Sequence, residues 1–141
     1  MCAIPKNNSA KNSVRIGCDD RLSYPTEAVA DSFLMPTRFQ PCGLNQIYSL
    51  RYGTPPLLHA TGWLIDTVVD CTSATLAYGT ASGFLFYDMT PDSFLDAIRR
   101  VTVAYHNKSV WRRVKKNGMA KDFSWRSSAA GYRTIYLSLL S

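Results

Sequence analysis

The chain has 141 residues, enough for one domain with a single core, and 46% of them are hydrophobic against 18% charged, an ordinary balance for a globular protein. No apolar run approaches the roughly 18 residues that cross a bilayer, and Met1 to Asn8 holds no apolar stretch suited to a signal peptide, so the cytoplasm is the expected location. A net charge of +6 raises the question of a polyanion partner, which depends on where the charges fall.

Residues 1 to 12 are polar and rich in Asn, Lys and Ser, and are expected to be a poorly ordered start. That leaves residues 13 to 141 as the domain. Val14-Arg15-Ile16 is a short strand candidate ending at Gly17. Residues 19 to 29 read as a helix, with Pro25 arguing for a break inside it. Ser32 to Met35 is the next strand, stopped by Pro36. From Gly43 to Tyr52 the apolar residues Leu44, Ile47 and Tyr48 fall at helical intervals, and Gly53 follows as a closing glycine. Pro56 to His59 is a third strand, residues 64 to 69 a short helical turn, and Gly83 to Phe86 a fourth strand.

The next helix is the best marked. Thr90 can cap it, Pro91 suits its first position, and Asp92 sits near the positive end of its dipole. Phe94, Leu95, Ile98, Val101 and Tyr105 recur on one face. Asn107 can cap a following helix that ends near Gly118. Ser124 can cap a last one, whose stripe of Trp125, Ala129, Tyr132, Tyr136 and Leu139 suits a core or a domain-packing surface better than a ligand site.

Much of the positive charge falls on these helices, as Arg99, Arg100, Lys108, Arg112, Arg113, Lys115 and Lys116. Helical spacing spreads them over outer faces while Val101, Val110, Trp111 and Val114 turn inward. Without a nucleic-acid motif, a solvated helix surface is the reading, and nucleic acid is not an expected partner. Cys2, Cys18, Cys42 and Cys71 lie far apart, and His59 and His106 supply no clustered ligands. Neither a metal nor a cofactor is expected, and the thiols read as reduced.

Strands alternating with helices indicate an α/β layer fold with a mostly parallel sheet. Ligands of such sheets bind beyond the carboxyl ends of the strands. Two loops fit that place, Pro36 to Gly43 and His59 to Leu64. Each runs from a strand toward a helix start, whose free N–H groups suit hydroxyls and phosphates.

Together, Pro36-Thr37-Arg38-Phe39-Gln40-Pro41-Cys42-Gly43-Leu44, Tyr52-Gly53-Thr54 and Thr61-Gly62-Trp63-Leu64-Ile65-Asp66-Thr67-Val68 resemble the bacterial glycogen synthase and plant starch synthase family. That family reads P-S-R-F-E-P-C-G-L, Y-G-T and T-G-G-L-x-D-T-V at the same separations. The likeness continues through Ala81-Ser82-Gly83-Phe84 and Met119-Ala120-Lys121-Asp122-Phe123-Ser124-Trp125, covering residues 13 to 141. It implies a partial Rossmann-like domain, the later part of the second of two such domains, with C-terminal helices. The activity implied is transfer of glucose from ADP-glucose to an α-1,4-glucan, with the first domain's wall of the cleft supplied by another part of the enzyme.

Carried over position by position, the resemblance gives backbone groups of Cys42, Gly43 and Leu44 the donor glucose, and Thr61 and Gly62 the distal phosphate. Three positions depart from the pattern. Gln40 stands where the family has its catalytic glutamate. Cys18 stands where a tyrosine stacks on adenine. Trp63 replaces the second glycine of T-G-G-L, where glycine permits close approach and φ values a bulky residue disfavours. The resemblance therefore implies a chain inactive alone, with ADP-glucose and glucan binding weak or absent. The alternatives are half of a split enzyme complemented by a partner N-terminal domain, and a non-catalytic module binding glucan or a polyanion. A sheet without its first strands is expected to expose an edge and to favour self-association.

Overall fold

The computed structural model describes residues 19–40 and 43–140. The polar start, the strand expected at Val14 to Ile16, and Cys18 and Cys42 lie outside the described residues. Three apolar runs too short for helices form a parallel sheet in the order β1 (Phe33–Met35), β2 (Pro56–His59), β3 (Phe84–Phe86).

Register decides what each face buries. Leu57 lies opposite Phe84, while Met35, Leu58 and Leu85 are mutually aligned on neighbouring strands. Because side chains alternate across a sheet, the two sets face opposite ways and nucleate two cores. One joins Leu57, Phe84 and Phe86 to Ala97, Ala104, Trp111 and Val114. The other joins Met35, Leu58 and Leu85 to Leu50, Leu64 and Val68. A sheet covered on both faces explains strands that read as continuous apolar runs. Burying each such large side chain contributes about 1.5–3 kcal/mol.

Helices cover these faces where the caps predict. Before the sheet, α1 (Asp20–Val29) begins at Asp19, whose Oδ1 accepts from Arg21 N. It runs unbroken through Pro25, against the expected break. Pro25 and Arg21 are both exposed, so the turn that loses a hydrogen bond to the proline lies on the solvent side of the helix. Between β1 and β2, α2 (Asn45–Tyr52) ends at Gly53 in the left-handed region, φ 72°, as its sequence implied. Between β2 and β3 lie α3 (Leu64–Thr67) and a helix not anticipated, α4 (Ser73–Ala77), where Thr72 and Thr75 cap each other reciprocally.

After β3, α5 (Pro91–His106) starts at Thr90, whose hydroxyl accepts from Ser93 N. It packs Phe94, Ile98, Val101 and Tyr105 against the first core, with Leu95 half exposed. Asn107 Oδ1 accepts from Val110 N and starts α6 (Lys108–Met119), which buries Trp111 and Val114. Most of the basic residues are on the surface, but three are structural fasteners, among them Lys121, whose Nζ donates to the Thr67 carbonyl at 2.8 Å. Arg113 donates to the Leu76 carbonyl. Arg100 binds Asp70 at 3.0 Å and the Leu85 carbonyl, while Asp70 Oδ1 accepts from Leu85 N at 2.8 Å.

That pair caps both backbone groups of Leu85 on the outer side of β3, where Asp70 also forms a parallel bridge with Gly83. The outer side of β1 has no strand neighbour among the described residues. Finally, α7 (Trp125–Ser138) is exposed along its whole length, Trp125 and Leu139 being 88% and 77% exposed. Its stripe is therefore not part of this chain's core.

Candidate functional site

The three strands point their carboxyl ends at one rim, and the loops leaving them touch there. From β1 the chain runs through Thr37, Arg38 and Gln40 toward α2. From β2 it runs through His59 to Gly62 into α3. Thr61 Oγ1 lies 3.5 Å from the Arg38 carbonyl. Gly62 adopts φ 48°, and a Cβ there would meet the Gln40 carbonyl at 3.4 Å. The structure thus brings Gln40, Thr61 and Gly62 together.

Gly43 and Leu44 follow Gln40 along the same loop. Gly43 is buried and needs no unusual backbone, but a Cβ there would lie 2.5 Å from Gln46 Oε1. Gln46, fully buried, donates from Nε2 to the Gly43 carbonyl at 2.6 Å. Gln46 therefore sets the path of this loop from inside the fold. Leu44 is half exposed and precedes α2 without a side-chain cap, and in the first turn Ile47 N donates back to the Leu44 carbonyl at 2.9 Å.

Trp63 corrects one expectation. Its φ is −63° and its ψ −18°, ordinary helical values, so no special backbone is required at 63. The left-handed conformation belongs to Gly62 instead. What Trp63 changes is bulk, because its indole is 61% exposed beside the loop.

Two further residues shape the rim, and sequence reasoning passed over both. His59, the last residue of β2, places Nδ1 3.0 Å from the Thr37 carbonyl and Nε2 3.2 Å from the Tyr87 carbonyl. Gln46 was hidden as a polar residue within a helical pattern. The histidine at a strand end was a visible signal; the glutamine's i to i−3 reach onto a glycine was not.

Among the described residues no group of three or more His, Cys, Asp or Glu could hold a metal ion. Cys71 is half-buried, and burial, followed by the neighbouring Asp70 charge, pushes its thiol up. Among the same residues no helix is long and apolar enough to cross a membrane.

No protein-family model matches the chain. Over all 141 residues it is 60% identical to a glycogen synthase of Nitrosospira multiformis, of which it spans 28%. It is 54% identical over 140 residues to a glycogen synthase of Nitrosomonas eutropha, again spanning 28%. In structure it matches the catalytic domain of starch synthase IV from Arabidopsis thaliana, bound to ADP and acarbose. The TM-score is 0.76 and the identity 35%, over 87% of this chain and 25% of that one. A sucrose-phosphate synthase from Thermosynechococcus elongatus, 22% identical with a TM-score of 0.54 over 81% of this chain and 26% of that one, shares the fold. The chain spans little more than a quarter of the length of these glycogen synthases, and by sequence and fold it is similar to the C-terminal portion of members of the glycogen synthase and starch synthase family.

Proposed function

We propose that this chain forms the sugar-nucleotide wall of a glycogen synthase-type glucosyltransferase site, and that it does not transfer glucose by itself. The observation that carries the reading is the meeting of two loops at the rim, with Thr61 reaching Arg38 and Gly62 abutting Gln40. The starch synthase IV neighbour is described as bound to ADP and acarbose, which supports a nucleotide and a glucan-like ligand on this family's site.

In this reading, backbone groups of Gly43 and Leu44, with Cys42, hold the donor glucose. Thr61 and Gly62 hold the distal phosphate, Thr61 through its hydroxyl and Gly62 through a loop that only its left-handed backbone closes. Cys18 replaces an aromatic platform for adenine, and a thiol offers no stacking face. Gln40 faces the donor as a neutral amide. Hydrogen bonds to charged groups contribute about 1.5–3 kcal/mol and neutral ones about 0.5–1.5 kcal/mol, so the amide costs about tenfold in rate. Trp63 crowds the phosphate loop. Residues 13 to 141 act as one unit, and a cytoplasmic location fits the sugar-nucleotide substrate.

The test is a chimera in which this chain replaces the matching segment of the Nitrosospira multiformis glycogen synthase. Glucose incorporation from labelled ADP-glucose into glycogen is expected to be weak. Gln40→Glu and Trp63→Gly together are expected to raise it at least tenfold. The 141-residue chain alone is expected to give none, and turnover by the purified chain would overturn the reading.

A further inference from the structure

At the rim, one side chain touches all three strands' exits. His59 ends β2, accepts the company of Phe86 at 5.2 Å between ring centroids, and directs its two nitrogens at carbonyls on either side. Thr37 lies two residues beyond β1, and Tyr87 immediately follows β3. The backbone adds one further tie across the same gap, Ala60 N to the Phe86 carbonyl at 2.8 Å.

We infer that His59 is the positioning residue of the donor site, a clamp that fixes the Gln40 loop, the Thr61–Gly62 loop and the turn after β3 in one arrangement. The inference rests on the function proposed above for what the loops bind, but the clamp itself is a property of this fold. Both partners of the ring are acceptors. A neutral imidazole has a single N–H and can donate to one carbonyl only; the imidazolium donates to both. The Thr37 tie sits three residues before Gln40, and His59 itself sits two residues before Thr61. Loss of the clamp therefore frees both loops at their roots while leaving the sheet beneath them paired.

Two substitutions separate the clamp from mere packing. His59→Phe keeps a flat ring against Phe86 and removes the ring N–H, whichever nitrogen carries it. His59→Arg supplies several donors in a planar fork able to reach two carbonyls. Hydrogen exchange on the 141-residue chain is expected to show faster exchange over residues 37–40 and 87–90 in His59→Phe, with residues 97–114 unchanged. His59→Arg is expected to restore protection. In the chimera, His59→Phe is expected to raise KM for ADP-glucose about tenfold with a smaller change in kcat, and His59→Arg to return KM to within about twofold. Loop exchange in His59→Phe equal to that of the unsubstituted chain would overturn the clamp, as would a His59→Arg chain whose loops exchange like those of His59→Phe. A chimera inactive with any residue at 59 and with Gln40→Glu would overturn the proposed function, while the exchange result would still decide the clamp.

Discussion

Gly62→Ala puts the backbone at the centre of the site to a direct test. At φ 48° an alanine pays the left-handed penalty, about 1–2 kcal/mol. Among the described residues the added methyl meets the Gln40 carbonyl alone, at 3.4 Å, an ordinary contact, so the effect there comes from the dihedral. Gly53→Ala is the matched control. It has φ 72° and lies at the far end of β2, and its methyl would press on the flexible ends of Met119 at 2.9 Å and Lys115 at 3.3 Å. With a urea dependence of about 1–3 kcal/mol per molar, either substitution should lower the denaturation midpoint of the 141-residue chain by roughly 0.5–1 M. The two should part in the chimera. Where the alanine loop relaxes out of the left-handed region before ligand binds, the penalty moves from the denaturation midpoint to ADP binding, so ADP titration by calorimetry is expected to weaken by up to about thirtyfold for Gly62→Ala and to stay unchanged for Gly53→Ala. Equal weakening by both, or a Gly62→Ala chain with neither a lowered midpoint nor weaker ADP binding, would refute the reasoning.

Three other outcomes follow from burial. Phe84, 1% exposed and stacked on Trp111, should cost about 3–5 kcal/mol when cut to alanine, measured by urea denaturation. Glu27 is 2% exposed and its Oε2 has no hydrogen-bond partner among the described residues, and burial pushes its carboxyl above the ordinary 4.5. The folded state then holds the proton more tightly, so stability present below pH 4.5 is lost as pH rises through the folded value. Glu27→Gln should remove that decline and leave the chain more stable at pH 7 in thermal melts. Removal of residues 125–141 should change the unfolding free energy by no more than about 0.5 kcal/mol, because all of α7 is exposed, while lowering the helical circular dichroism signal.

The parts of the fold legible in the sequence were those set by local chemistry. Thr90-Pro91, Asn107 and Gly53 announce helix ends through capping and backbone preference, and all three act there. The strands from Phe33, Pro56 and Phe84 were legible as apolar runs bounded by Pro and Gly. Pro25 misled because the rule against proline in a helix weighs most where the turn losing a hydrogen bond is buried, and here that turn lies on the solvent side. The α4 turn was missed because its cap depends on two threonines bonding each other, in a stretch with no apolar period. Arg100 and Arg113 looked like surface charge because their partners, Asp70 with Leu85 and Leu76, lie 15 to 37 residues away. The site divides the same way. Its two loops were visible as strand–loop–helix junctions, whereas His59's span and Gln46's hold on Gly43 exist only once the strands are side by side.

That division bears on which residues report function. Gly43 is pinned by packing, since any larger residue strikes the buried Gln46. Gly62 is pinned by its backbone, and His59 by the carbonyls it joins. A chain that keeps this fold keeps those features whether or not it binds a sugar nucleotide, so their presence does not distinguish an active wall from a silent one. Gln40 and Trp63 are different. Trp63 sits exposed with an unremarkable backbone, and among the described residues no hydrogen bond ties the Gln40 amide to the core. A glutamate at 40 and a glycine at 63 cost the fold little. These two departures from the family pattern thus fall where structure leaves the choice to chemistry, and reversing them in the chimera measures the chemistry with little contribution from folding.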